Sequence, residues 1–209
     1  MTQTVITKYK LVFCEGTDER LFFPRLLKMV KQTSLENKLQ FISIDGKNNL
    51  DKFLKNISSF SNFPQVKSLG IILDAKGTPN GFSPSLQKAQ TALRKIGFPV
   101  PNQAARAATA GNKKSVIWIM PNNHDDGEIE ALLLQAFAQH RLLPCVDSMA
   151  NCVGQLGMGT SKPDKSKLYS LLAWLDPPGR KISEMKNREL LSSDLTVFDP
   201  LINTFFKQL

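Results

Sequence analysis

The sequence predicts an α/β protein, a mostly parallel sheet flanked by helices with a helical extension at its C-terminal end. Three observations predict it. Short runs that are apolar throughout recur as far as Met120, and such runs read as strands covered on both faces. Segments with helical spacing follow each run, giving strand then helix four times over. Beyond about Arg141 the alternation stops and leucine-rich helical segments take its place.

Leu11, Val12, Phe13 and Cys14 make the first strand. Glu15 and Gly16 break it. Thr17 can cap a helix whose first turn carries Asp18 and Glu19, where carboxylates meet free N–H groups and the positive dipole end. Phe22, Leu26, Met29 and Val30 give that helix its apolar stripe, and Pro24 predicts a bend or break. Phe41, Ile42, Ser43 and Ile44 make the second strand, followed by a turn and a helix through Leu50, Phe53, Leu54 and Ile57. The third strand lies in 66–73, with Asp74 at its end. Glycine and proline mark 76–85 as a loop. A helix over 85–96 stops at Gly97, and 99–114 has room for a short strand and a turn at Gly111. Residues 115–120 are the fourth apolar strand, 121–127 a polar loop, and 128–140 a helix with Ile129, Leu132, Leu133, Ala136 and Phe137 facing the core.

The α/β domain is expected over 8–141, and the helical extension packed on it over 142–209, with a flexible loop at about 153–166. Helices are expected at 167–175 and around 182–191. Asp199 and Pro200 read as a cap and a first-position proline. Leu201, Ile202, Phe205, Phe206 and Leu209 then form an apolar face. That face docks on the domain or, alternatively, makes an oligomer through the C-terminal helices. Trp118 and Trp174 are expected in the core.

Of the 209 residues, 27 are Lys or Arg and 18 are Asp or Glu. The resulting charge of +9 suits a polyanion such as DNA or RNA. Apolar residues at 42% and charged residues at 22% exclude a disordered chain. No apolar run approaches the roughly 18 residues of a membrane span, and the polar start does not read as a signal peptide. Three cysteines, odd and sparse, suggest a reducing, cytoplasmic setting and argue against a zinc site.

Carboxylates follow three of the strands: Glu15, then Asp74, then Asp125, Asp126, Glu128 and Glu130. Parallel strands gather such ends at one edge, where open α/β sheets place their sites. Acids crowded there repel each other, and a hard divalent cation such as Mg²⁺ relieves the repulsion and can polarise a phosphoryl oxygen. Glu15, Asp74 and Asp126 are the candidate ligands. The alternative is that acids simply favour loops and helix starts. Glu128 and Glu130 are two apart, so helical spacing lets only one face the edge; Glu130 is the choice if Ala131 and Leu134 pack on the sheet. In an extended chain Lys76 points the same way as Asp74. It would pair with that acid and offer a point charge to a phosphate. Gly16, Lys47, Lys76 and His124 are the candidate anion contacts, with an exposed loop histidine as the plain alternative for His124. Arg106, Lys113 and Lys114 fall at the far end of the sheet.

The segment Cys14, Glu15, Gly16, Thr17, Asp18, Glu19 after a buried strand resembles the first motif of the Toprim domain. Ile71, Ile72, Leu73, Asp74, Ala75, Lys76 resembles its aspartate-rich second motif. Trp118 to Asn123, then Gly127, Glu130, Lys167, Trp174, Pro178 and Gly179, resemble a family of Toprim-like proteins grouped as a domain of unknown function. The resemblance runs from about residue 8 to the end. It implies a compact Toprim-like, Rossmann-like fold. It also implies a glutamate acting as acid or base near a phosphate, matched by Glu15, and an aspartate motif holding Mg²⁺, matched by Asp74. Toprim activities include strand cleavage and joining, primer synthesis and the nuclease step of OLD-type defence proteins. Three positions depart from the pattern, Lys76, Asn122 and Ala131, and each loses negative charge. Neither Tyr9 nor Tyr169 has a nucleophile motif around it, which argues against a topoisomerase. The expected function is Mg²⁺-dependent, nuclease-like phosphoryl transfer on nucleic acid, with Glu15, Asp74 and Glu130 as catalytic residues. The alternative is a non-catalytic nucleic-acid or nucleotide-binding protein with a degenerate site.

Overall fold

Alternate residues of the parallel strands feed two separate cores. The computed structural model describes residues 5–76, 81–176, 178–179, 181–185 and 193–209. Strands β1 (Lys10–Cys14), β2 (Leu39–Ser43), β3 (Ser68–Asp74), β4 (Ala108–Ala110) and β5 (Lys113–Met120) form one sheet in the order β2-β1-β3-β5-β4. All neighbours are parallel except the short edge strand β4, which pairs antiparallel with β5. Leu11, Phe13, Leu69, Ile71, Leu73, Ile117 and Ile119 face α3 (Leu50–Ser58) and α4 (Phe82–Lys95). Val12, Cys14, Ile72, Val116, Trp118 and Met120 face the opposite way, toward α1 (Thr17–Met29) and α5 (Ile129–Ala136). Helices on both faces explain why the strands read as continuous apolar runs. The short α2 (Thr33–Lys38) leads into β2.

The expected break at Pro24 does not occur. Helix α1 runs through it, held by the fully buried Phe22, Phe23, Leu26 and Leu27. Helix α4 begins at Phe82, earlier than expected, because Pro84 fits a first turn whose N–H groups need no helical partner. Residues 77–80 of the expected loop lie outside the described residues.

In the extension, α6 (Leu143–Gln155) is a helix not singled out by the sequence, and α7 (Pro163–Ala173) begins four residues before the expected 167–175. The loop expected at 153–166 shrinks to the link between them, because Pro163 opens a helix rather than breaking one. Val146, Leu168, Leu171 and Leu172 share a core with the sheet. Trp174 does not: it is 73% exposed. At 3.6 residues per turn it sits roughly 110° from the stripe centred on Leu168, Leu171, Leu172 and Leu175. The helix expected at 182–191 starts as a 3₁₀ turn over Ile182–Glu184; 186–192 lie outside the described residues.

The last helix, α8 (Asp199–Thr204), starts with Pro200 in its first turn. Its apolar face packs inside the protein: Leu201, Ile202, Phe205, Phe206 and Leu209 are buried. A Cβ on Gly70 of β3 would come within 2.7 Å of Phe205 and 2.9 Å of Leu209. The glycine is therefore what lets the tail lie against the sheet. Cys14, Cys145 and Cys152 are free thiols. Among the described residues no helix is long and apolar enough to cross a membrane.

Candidate functional site

Strands β1 and β3 lie side by side, with Cys14 in register with Ile72. Glu15, one residue past β1, therefore meets Asp74, the last residue of β3, at the carboxyl edge. Glu15 Oε2 accepts the backbone N–H of Asp74 at 3.2 Å. The chain stays extended past Asp74, because Ala75 bridges antiparallel to Gly127 and donates its N–H to the Gly127 carbonyl at 2.9 Å. Lys76 thus stands on the same side as Asp74, as the two-residue period requires. Its Nζ lies 3.5 Å from Glu15 Oε1, 3.7 Å from Asp74 Oδ2 and 3.2 Å from Glu128 Oε1. Burial works to lower the Lys76 amine, but the charges of Glu15, Asp74 and Glu128 overcome it and hold the group well above the usual lysine range. Asp74 is 5% exposed. Burial, with Glu15, Glu19 and Glu128 nearby, pushes its carboxyl well up, and Lys76 offsets only part of this.

Glu128 and Glu130 both reach the cavity, against the expectation from helical spacing. Glu128 precedes α5 in extended conformation, with φ −121° and ψ 178°, so the helical rule does not govern it. Glu130 is buried, with Oε1 3.2 Å from Lys165 Nζ. Burial lowers the Lys165 amine, but the Glu130 charge and hydrogen bond raise it by more.

Glu19 was not singled out by the sequence. Its place in the first turn of α1 accounts for an acid through the dipole alone, so nothing local in the sequence marked it. Its Oε2 is buried and has no hydrogen-bond partner among the described residues. Burial first, then the charges of Glu130, Glu15 and Asp18, push its carboxyl up to about 7. Gly16 makes room for it, since a Cβ there would fall 2.7 Å from Glu19 Oε2.

These groups line a cavity of about 680 Å³. Glu15, Glu19, Asp74 and Glu130 are buried in it, with the half-buried Gly16 and with Lys76 and Glu128 beside them. The extension closes the far side with Lys162, Lys165, Tyr169 and Lys181. Lys165 Nζ sits 5.3 Å over the Tyr169 ring. The sequence showed a lysine-rich stretch here, but only tertiary packing brings it to the acids.

Three candidates lie elsewhere. Lys47 is buried, and its Nζ donates to the Asp74 carbonyl and to Ser85 Oγ, each at 3.0 Å; it braces the strand end instead of lining the cavity. His124 is exposed on the loop, with Nδ1 2.8 Å from Asp125 Oδ1. Asp126 does not join Glu15 and Asp74. Its Oδ1 accepts the Phe82 N–H at 3.0 Å and so caps α4, with Gly81 leaving space for it.

Mg²⁺ asks for oxygens at about 2.0–2.1 Å in octahedral order. Among the described residues, no three acidic, histidine or cysteine side chains form a ready metal group. The Lys76 ammonium occupies the point on which Glu15, Asp74 and Glu128 converge. As arranged, these residues do not fit a resident Mg²⁺.

Fold and cavity together define an α/β protein with an acidic, lysine-rimmed site at the carboxyl edge of a mostly parallel sheet. Residues 9–209 match the family described as "Protein of unknown function (DUF3226)", and the chain belongs to that family. Among solved structures, it is similar to the C-terminal region of the OLD protein of Xanthomonas campestris pv. campestris. That match has 13% identity and a TM-score of 0.41, covering 98% of this chain and 85% of that one. It is also similar to the C-terminal region of the Burkholderia pseudomallei OLD protein, with 12% identity and a TM-score of 0.41, covering 97% and 86%. Nothing among the curated proteins matches it.

Proposed function

We propose that this protein acts on the phosphodiester backbone of nucleic acid, by nuclease-like phosphoryl transfer in the carboxyl-edge cavity. The observation that carries the reading is the meeting of Glu15, Asp74, Glu128 and Glu130 in one cavity rimmed by Lys162, Lys165 and Lys181. The rim attracts and holds phosphates, and the net positive charge steers a polyanion toward the protein. Lys76, at the junction of rim and floor, presents a point charge to a phosphoryl oxygen. Glu15 beside it is the candidate acid or base, within reach of the same oxygen. The resemblance of the segments around Glu15 and Asp74 to the two Toprim motifs supports the same assignment. Mg²⁺, the cofactor that resemblance implies, has no ready position beside Lys76, and no step here runs through it.

The test is cleavage of labelled single- and double-stranded DNA and RNA in Mg²⁺, in Mn²⁺ and in EDTA. Glu15→Gln and Asp74→Asn should each reduce cleavage at least a hundredfold while the chain stays folded. Cleavage by both variants at the parent rate would remove the proposal. The position of Lys76 favours a second reading, nucleic-acid binding without turnover. That reading predicts salt-sensitive binding and no product under any of the three conditions.

A further inference from the structure

Three elements bring a carboxylate oxygen to one point: Glu15 from the end of β1, Asp74 from the end of β3, and Glu128 from the residue before α5. The ammonium of Lys76 stands there, 3.2 to 3.7 Å from all three. A group of acids this enclosed needs positive charge at its centre, and this chain supplies it from its own Lys76 side chain. Lys76 does not exhaust the acceptors. Glu19 is 8% exposed, and its buried Oε2 has no hydrogen-bond partner among the described residues, although it lines the same cavity.

We infer that Lys76 is the built-in occupant of a cation position, and that its ammonium and a divalent cation exclude each other there. An ammonium satisfies the three oxygens by hydrogen-bond and ion-pair distances. A divalent ion would draw them in to about 2.0–2.2 Å, and two cations at one point repel. Glu19, which has no salt bridge among the described residues, is the spare ligand of the same cavity. The side chain of Lys76 is 36% exposed, so nothing seals it in place, and its removal leaves the acids able to close on an ion. Lys76 is then the residue that sets which cation the site accepts. The inference stands whether or not the protein cleaves nucleic acid, because its readout is cation binding.

The experiment titrates MnCl₂ into the parent, Lys76→Ala, Lys76→Gln and the double variant Lys76→Ala with Glu15→Gln, following free Mn²⁺ by electron paramagnetic resonance and folding by circular dichroism. One Mn²⁺ per chain should bind Lys76→Ala and Lys76→Gln at least tenfold more tightly than the parent. Adding Glu15→Gln should cost at least tenfold of that gain. A Lys76 variant that is unfolded in EDTA and folds when Mn²⁺ is added supports the inference equally. Parent binding as tight as that of the variants overturns it. So does the absence of any gain in both single variants, whether folded or left unfolded in Mn²⁺.

Discussion

Replacing Glu19 with glutamine should make the protein more stable at high pH and leave it nearly unchanged at low pH. Burial, reinforced by Glu130, Glu15 and Asp18, lifts the Glu19 carboxyl from 4.5 in a free chain to about 7 in the fold. A folded state that holds its proton more tightly than the unfolded chain loses stability as pH rises between those two values. Below about 4.5 both states are protonated and no penalty exists. Above about 7 the folded protein carries a buried charge whose Oε2 has no partner among the described residues, and the penalty is complete. Two and a half pH units at roughly 1.36 kcal/mol each give about 3 kcal/mol. Glutamine keeps the shape and cannot ionise. Urea unfolding of parent and Glu19→Gln at pH 4.5, 6 and 8 should therefore show curves that nearly coincide at pH 4.5. By pH 8 the variant should lead by up to about 3 kcal/mol. A gap that stays constant with pH, or a variant less stable than the parent at pH 8, would refute the reasoning.

Other expectations follow from particular side chains. Gly70→Val pushes a branched side chain into Phe205 and Leu209 and should cost about 1–3 kcal/mol or more in urea unfolding; an unchanged midpoint would contradict the docking of the tail. Lys165→Gln leaves Glu130 buried without its ion pair. A double-mutant cycle with Glu130→Gln should give a coupling of about 1 kcal/mol, reduced by the partial exposure of Lys165; a coupling of zero would mean the pair is not formed in solution. Lys162→Gln with Lys181→Gln should flatten the dependence of log K on log salt for a single-stranded oligonucleotide, by about 0.7 for each phosphate the protein no longer neutralises. Fluorescence anisotropy at several salt concentrations reads this, and an unchanged slope would place the phosphates elsewhere.

The sequence carried the first half of the site and not the second. Glu15 and Asp74 could be paired in advance because apolar runs mark where strands end and parallel order puts those ends at one edge. Lys76 could be aimed because side chains alternate along an extended chain. Glu128 could not be placed, because its direction depends on the bridge between Ala75 and Gly127, two residues 52 apart in the chain, which keeps it out of α5. Asp126 looked like a ligand in sequence, but its hydrogen bond to the start of α4 is equally long-range. Lys165 and Lys181 reach the acids only after α7 and the Ile182 turn pack on α1 and α5. The same packing, decided by a shared core rather than by local spacing, leaves Trp174 in water.

Under the proposed function, nucleic acid lies in the cavity at the carboxyl edge of the sheet. The opposite edge also carries lysines, with Lys10 and Lys114 both in register with Ser68 and Lys67 just ahead of β3. Photocross-linking of a short oligonucleotide to the whole chain, with the attached peptides identified by mass spectrometry, separates the two edges directly. Adducts are expected on the segments holding Glu15 to Glu19, Lys162 to Tyr169 and Lys181. Adducts confined to Lys8, Lys10, Lys67, Lys113 and Lys114 would contradict the proposal.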